Sequence, residues 1–273
     1  MSLSRSGFLS SIPPVVKNLI LINTVIWLVT WMLQRYGVDL NAMLGLYTPG
    51  SPHFKPYQVV THMFMHGGFT HLFFNMFALW MFGRILEQVW GGKRFLLYYM
   101  VTGLGAAAVH SLVNYLQFSS IQADSIAMLN TLSPDTFAAF VTKHFPEFYN
   151  SIYSDFLDKW FQNPSNPIMI DQAQQLSQQL LSLQLNIPTV GASGAVYGVL
   201  LAFGMLFPNT VLMILFPPIP IKAKWMVILY GGLELFLGLT QAGSNIAHFA
   251  HLGGMIFGFF LIKYWQSRKN VFY

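Results

Sequence analysis

Apolar residues collect along this chain in six runs separated by polar or turn-rich segments. A membrane-spanning helix needs about 20 mostly apolar residues, and the runs approach that length. They cover Asn18 to Leu33, about Leu72 to Leu86, Phe95 to about Leu116, Ser193 to Phe207, about Trp225 to Leu239, and about Ile246 to Tyr264. The first follows a short polar leader without an A-x-A cleavage signal, so it reads as a retained span rather than a signal peptide. The fourth stops at Pro208 and is short: fifteen residues at about 1.5 Å each give about 22 Å, against a hydrocarbon core of about 30 Å. Non-helical backbone at that depth is tolerated only where it lines a protein-enclosed or water-filled cavity. The residues at the start of this helix therefore need a role.

Two connections are long. Gln34 to Thr70 holds Gly and Pro turns with a few aromatics. Gln117 to Pro188 is a polar insert in which Asp124, Asp135, Glu147, Asp155, Asp158 and Asp171 outnumber Lys143 and Lys159. Within it Phe148, Ile152, Phe156 and Trp160 recur every four residues, which predicts an amphipathic helix; Asp171 to Leu185, rich in Gln, predicts another. The expected fold is all-α: a single polytopic membrane domain over residues 1–273, six spans, and a helical insert at 117–188 between the third and fourth.

Composition agrees with this pattern. Only 8% of the 273 residues are charged and 54% are hydrophobic, against about 25% charged in an ordinary soluble domain, so soluble and disordered classes are both excluded. Cys is absent, which removes disulfides, thiol nucleophiles and Cys-bound metals. The net charge of +5 is an orientation signal rather than a nucleic-acid surface, because the basic residues are scattered. With six spans the termini share a side. That side holds Arg5, Lys17, Arg84, Lys93, Arg94, Lys222, Lys224, Lys263, Arg268 and Lys269; the other holds Arg35, Lys55, Lys143 and Lys159. Positive-inside then places both termini in the cytoplasm and the acidic insert outside, in a membrane expected to be a bacterial cytoplasmic membrane.

Three clusters carry candidate chemistry. The short fourth span begins Gly191-Ala-Ser193-Gly194-Ala-Val-Tyr197-Gly198. Gly194 and Gly198 form a small-xxx-small face that lets another helix approach, and a helix start offers free N–H groups beside Ser193. The sixth run contains His248, Ala250, His251, Gly254 and Gly258, so it also carries a small-residue face. Packing the two faces would bring Ser193 within reach of a neighbouring imidazole; His251 lies beside the face, whereas His248 is almost one turn nearer the outer surface, where water would hydrate it. No Asp or Glu is placed as an obvious third member, so a Ser–His dyad is the simplest reading. In the second run His71 and Asn75 share a helix face and offer donors of the kind that complete an oxyanion hole. His62 and His66 have the spacing of a metal pair, but Met63 stands where the zinc-protease pattern has glutamate. Glu234, an acid inside the fifth span, reads as a structural hydrogen-bonding group, since nothing in the sequence places it near Ser193.

Taken together, Gly191-x-Ser193-Gly194 with Gly198, Ala250-His251-x-x-Gly254-x-x-x-Gly258 and His71-x-x-x-Asn75 resemble the motifs of the rhomboid intramembrane serine proteases, over about Asn18 to Tyr264 apart from the insert. The resemblance implies a rhomboid-like bundle and a serine-type endopeptidase that cleaves transmembrane protein substrates within the lipid bilayer. It implies Ser193 as nucleophile, His251 as base, and His71, Asn75 and the Ser193 N–H as oxyanion donors. Tyr197 matches an aromatic that packs on the catalytic imidazole, Gly191 and Gly194 belong to the nucleophile motif, and His66 and His62 become supporting polar residues. No cofactor, metal or nucleic acid is implied. Pro56-Tyr57-Gln58 stands where the family often has a Trp-Arg pair, and Glu87 resembles a family acid at the inner end of the second span. Three other readings compete: an inactive relative that escorts membrane clients, a multi-histidine metal or haem protein using His62, His66, His71, His110, His248 and His251, and a transporter with a broken helix at Gly191 to Gly194. The presence of both Ser193 and His251, the serine at a short helix start, and the lack of an inverted repeat argue against them in turn.

Overall fold

The computed structural model of the chain describes residues 12–213, 218–240 and 247–268. Arg5, Lys269, Asn245 and the Ile246 start of the sixth run lie outside the described residues. The first run forms α1 (Pro14–Gln34), with proline at a position whose missing N–H costs nothing. The next two N–H groups, of Val15 and Val16, donate to the buried carboxylate of Glu87 at 2.9 and 2.7 Å. An anion there satisfies two orphan donors and faces the positive end of the helix dipole. Glu87 thus ties the start of the first run to the end of the second.

The first connection carries two short helices, α2 (Leu40–Leu44) and α3 (Gln58–Thr61). The second run is α4 (Phe69–Ala78), a wider π turn at Leu79–Gly83, and α5 (Arg84–Trp90). After the turn at Gly91, α6 (Gly92–Asn130) does not stop with the apolar run at Leu116 but continues well into the polar segment. Helices α7 (Pro134–His144), α8 (Pro146–Ile152), α9 (Asp158–Gln162) and α10 (Pro167–Leu185) follow. Next come α11 (Ser193–Leu206), a small antiparallel pair of β1 (Val211–Met213) with β2 (Pro220–Lys222), α12 (Ala223–Thr240) and α13 (His248–Ser267). The pair of three-residue strands was not expected from an all-α pattern; it closes the link between α11 and α12.

Among the described residues four helices are long and apolar enough to cross a membrane: Pro14–Gln34, Phe69–Trp90, Gly92–Asn130 and Ala223–Thr240. The apolar helix Ser193–Leu206 is shorter. Leu21, Trp31, Phe73, Ile228, Phe236 and Phe260 point outward and are exposed, which is a penalty in water but none against lipid tails. Helix α11 lies at the centre, packed on α4, α6, α12 and α13. Its small residues make that possible: a Cβ on Gly194 would sit 2.3 Å from the Ala106 Cβ of α6, and one on Gly254 of α13 would sit 1.9 Å from the Gly194 carbonyl oxygen. Three backbones therefore meet where ordinary side chains would hold them apart.

A second core is formed by Met128, Phe137, Phe140, Val141, Phe145, Ile152, Leu157, Trp160, Ala173 and Leu180. The expected stripe of Phe148, Ile152, Phe156 and Trp160 is only partly what faces it. Phe148 is exposed and Leu157 is fully buried, because a π turn at Tyr153–Leu157 interrupts the helix. The extra residue in that turn shifts the inward face from a spacing of four to 152, 157 and 160.

Candidate active site

The segment that leads into α11 is held before it turns. Leu46 and Thr189 exchange backbone hydrogen bonds at 2.9 and 2.8 Å, and the Gly191 N–H donates to the His62 carbonyl at 2.9 Å. Gly191 has φ of 132°, in the region that favours glycine. A Cβ there would lie 2.8 Å from Nε2 of His71 and 3.6 Å from Oγ of Ser193. The missing side chain leaves open a space that the His71 ring and the Ser193 hydroxyl both border. Ser193 is the first residue of α11, so its N–H and those that follow begin the helix without intrahelical acceptors.

On the other side, the close contact of Gly254 with Gly194 sets α13 against α11. The Nε2 of His251 lies 2.8 Å from Oγ of Ser193. The Tyr197 ring stacks on the His251 ring, with centroids 4.2 Å apart and an interplanar angle of 4°. Tyr197 is one turn beyond Ser193, so the same helix supplies the hydroxyl and the plate behind its partner.

Ser193, His71 and His251 line a cavity of about 460 Å³. His110, Asn114 and Thr189 also line it, as do Gln117, Phe118, Gln184 and Leu185 from α6 and the end of α10. Nε2 of His110 is 2.7 Å from the Thr189 hydroxyl and 3.1 Å from the Asn114 amide nitrogen. This polar wall was not read from the sequence, where His110 stood only as one member of a metal-binding alternative. Asn75 is buried and its amide donates to the His71 carbonyl one turn back at 2.9 Å. His66 is buried edge-on to His71, 5.1 Å between centroids. Burial, then the neighbouring His71 ring, pushes His66 down to about 3, so it is a neutral support. The structure therefore gathers Ser193, His251, His71, Tyr197 and Gly191 around one space, with Asn75 and His66 behind His71.

Two placements correct the sequence reading. Glu234, for which no proximity to Ser193 was expected, is buried directly behind His251: its Oε1 is 3.0 Å from Nδ1 of His251 and accepts a hydrogen bond from the Tyr197 hydroxyl. His248, expected to be hydrated near the outer surface, is buried, with Nδ1 2.6 Å from Oε2 of the same carboxylate. The physical reason is that His248 and His251, three apart, share one face of α13, and that face turns to α12 rather than to water. Gly238, one turn beyond Glu234, lets α13 approach: a Cβ on it would lie 3.3 Å from the His248 Cβ. An ionisable residue inside an apolar span was the available signal; which helix it would face was not legible. Glu234, His248 and His251 present ligand atoms within 4.8 Å of one another, a grouping with the donor types of a divalent-cation site.

Comparison with known proteins agrees with the motifs. The model of the Rhomboid domain matches residues 53–134 and 168–268. The Bacillus subtilis rhomboid YdcA is 33% identical over 93 residues, covering 33% of this chain and 46% of its own. The chloroplastic Rhomboid-like protein 11 of Arabidopsis thaliana is 38% identical over 97 residues, 35% of this chain and 32% of its own. The mitochondrial Rhomboid protein 1 of Saccharomyces cerevisiae is 24% identical over 213 residues, 78% of this chain and 42% of its own. The chain spans less than half the length of each.

Proposed function

Because this integral membrane protein belongs to the rhomboid family, we propose that it is an intramembrane serine endopeptidase whose nucleophile is Ser193 and whose base is His251. The observation that carries this reading is the 2.8 Å contact between Oγ of Ser193 and Nε2 of His251 at the start of a short, central helix. In the proposed reaction the Ser193 oxygen attacks the carbonyl carbon of a substrate peptide bond and its proton passes to Nε2 of His251. The carbonyl oxygen, now negative, is met by the Ser193 N–H, by His71 and by the second N–H of the Asn75 amide, whose first is taken by the His71 backbone carbonyl. The protonated imidazole gives its proton to the leaving amine, and water, activated by the same ring, releases the acyl group.

Water and substrate reach this chemistry through the cavity of about 460 Å³. Its walls include residues of the 117–188 insert, so the insert borders the entrance. The substrates proposed are transmembrane segments of other proteins that unwind easily near their outer ends, since a helix hides its carbonyls in hydrogen bonds.

A fluorophosphonate probe is expected to label wild-type protein at Ser193, the serine oxygen displacing fluoride from phosphorus. Protein that cleaves a model transmembrane substrate yet is labelled elsewhere would overturn the assignment of the nucleophile.

The orientation follows from the six-span reading and the positive-inside bias, with both termini in the cytoplasm of a bacterium. The chain has no native Cys, so single cysteines report topology directly. A cysteine replacing Asn163 in the insert should react with an impermeant maleimide in intact cells, and one replacing Lys93 only after permeabilisation. The opposite pattern reverses the orientation.

A further inference from the structure

We propose that Glu234 is the third member of this site, a positioning residue that fixes the His251 ring and stabilises the imidazolium, so that the chain works as a Ser–His–Glu triad rather than a dyad. The inference rests on the proteolytic reading above and deepens it.

The tautomer comes first. For Nε2 of His251 to take the Ser193 proton it must be bare, so the ring proton must sit on Nδ1. A ring keeps that tautomer when Nδ1–H has an acceptor. Oε1 of Glu234, 3.0 Å from Nδ1, is the group placed to accept it. The contact is at ion-pair distance but lies off the axis of the ring N–H; catalytic contacts of this kind tighten when charge develops on the ring.

The surroundings of Glu234 suit a carboxylate kept ionised. Burying such a group is costly unless donors surround it. Two hydrogen-bond it, the Tyr197 hydroxyl on Oε1 and Nδ1 of His248 on Oε2 at 2.6 Å, and Nδ1 of His251 lies at ion-pair distance from Oε1. Two of these partners also hold one another, since the Tyr197 ring lies flat against His251. The imidazole is thereby fixed on its face by Tyr197 and at its edge by Glu234, while its other edge faces Ser193. His248 donates to the oxygen that His251 does not use, which orients the carboxylate.

The proton accounting is simple. As the serine oxygen forms its bond to the carbonyl carbon, its proton moves to Nε2 and the ring becomes positive. The negative carboxylate, kept from water, pairs with that charge and does not take the proton. The proton leaves again from Nε2 to the departing amine. A partner that pairs with this developing charge matters most in the transition state, so its loss should appear in kcat.

The test uses full-length protein in detergent or liposomes, with kcat, KM, the rate of fluorophosphonate labelling and thermal unfolding measured for wild type, Glu234→Gln and Glu234→Asp. Glu234→Gln should lower kcat by about 10²- to 10⁴-fold, with KM nearly unchanged, labelling slowed in parallel and the melting temperature retained; Glu234→Asp should recover part of the loss. A purely structural role would lower the folded fraction and leave kcat per folded molecule unchanged, and that result overturns the proposal. If Glu234→Gln does not fold, the wild-type ring decides. Nitrogen NMR of His251 should show the proton on Nδ1, strongly deshielded, and a proton on Nε2 in the resting enzyme overturns the proposal. Wild-type protein that neither cleaves nor labels refutes the proteolytic reading itself, whereas an active wild type with an equally active Glu234→Gln refutes only the third member. Chelator treatment should leave wild-type kcat unchanged; a loss restored by zinc would overturn the proposal and reassign Glu234, His248 and His251 as metal ligands.

Discussion

Ser193→Ala is expected to abolish cleavage of a transmembrane substrate, with kcat falling by about a million-fold, and His251→Ala to do nearly as much. In the proposed mechanism alanine at 193 removes the oxygen that forms the acyl-enzyme, and alanine at 251 removes the imidazole that lies 2.8 Å from it. Members of such a unit are not additive: losing one costs about as much as losing all, because the residual rate comes from binding and oxyanion donors alone. The double variant should therefore be no slower than Ser193→Ala. His248→Ala should be the milder change, since His248 touches the carboxylate and not the serine. Cleavage kinetics of the four proteins, each checked for folding, decide the matter. If His248→Ala is inactive while His251→Ala retains activity, the base has been assigned to the wrong histidine.

Gly254→Val should be strongly damaging through packing alone. A Cβ at this position would lie 1.9 Å from the Gly194 carbonyl oxygen and 2.7 Å from its carbon, and these are backbone atoms in the centre of the bundle that cannot rotate aside. Helix α13 would have to withdraw from α11 by an ångström or more. Overpacking of this kind costs about 1–3 kcal/mol, more when backbone must move. The same withdrawal carries His251 away from Ser193, and a misplacement of about 1 Å costs roughly 10²-fold in rate. Activity lowered by about 10²-fold or more and a lowered unfolding temperature are the expected outcome. Gly232→Ala on α12 is the matched control: a Cβ there meets nothing within 4 Å, and alanine is the better helix former, so stability should hold or rise slightly. Gly254→Val protein that melts like wild type and cleaves within tenfold of it would show that the contact is not what sets the Ser193–His251 distance.

Much of this was legible from local pattern. The apolar runs predicted the long helices, because a chain in lipid must satisfy its backbone hydrogen bonds within each segment. The small-residue spacing at Gly194, Gly198, Gly254 and Gly258 predicted close helix contact, because a missing side chain is a local property whose only use at that spacing is approach. The place of Ser193 at a helix start was legible because the short apolar run begins there, among small residues. Where local pattern failed, the cause was also physical. The four-residue stripe beginning at Phe148 slipped by one residue at the π turn Tyr153–Leu157, a feature that depends on what the helix packs against. The third apolar run ended at Leu116, yet its helix did not, since helix continuation into the insert is driven by a second core that side chains from four other helices complete.

The sequence by itself determined the residue types of the candidate site: a serine at a helix start, a histidine on a small-residue face, and His71 with Asn75 one turn apart. Only the tertiary structure decided which carboxylate and which cavity wall those residues meet. Glu234 and His251 lie on different helices, and the rotation of each helix about its axis is set by the sum of its packing contacts rather than by any local run. That rotation turned His248 and Glu234 from a hydrated residue and an isolated acid into the buried partners behind the imidazole.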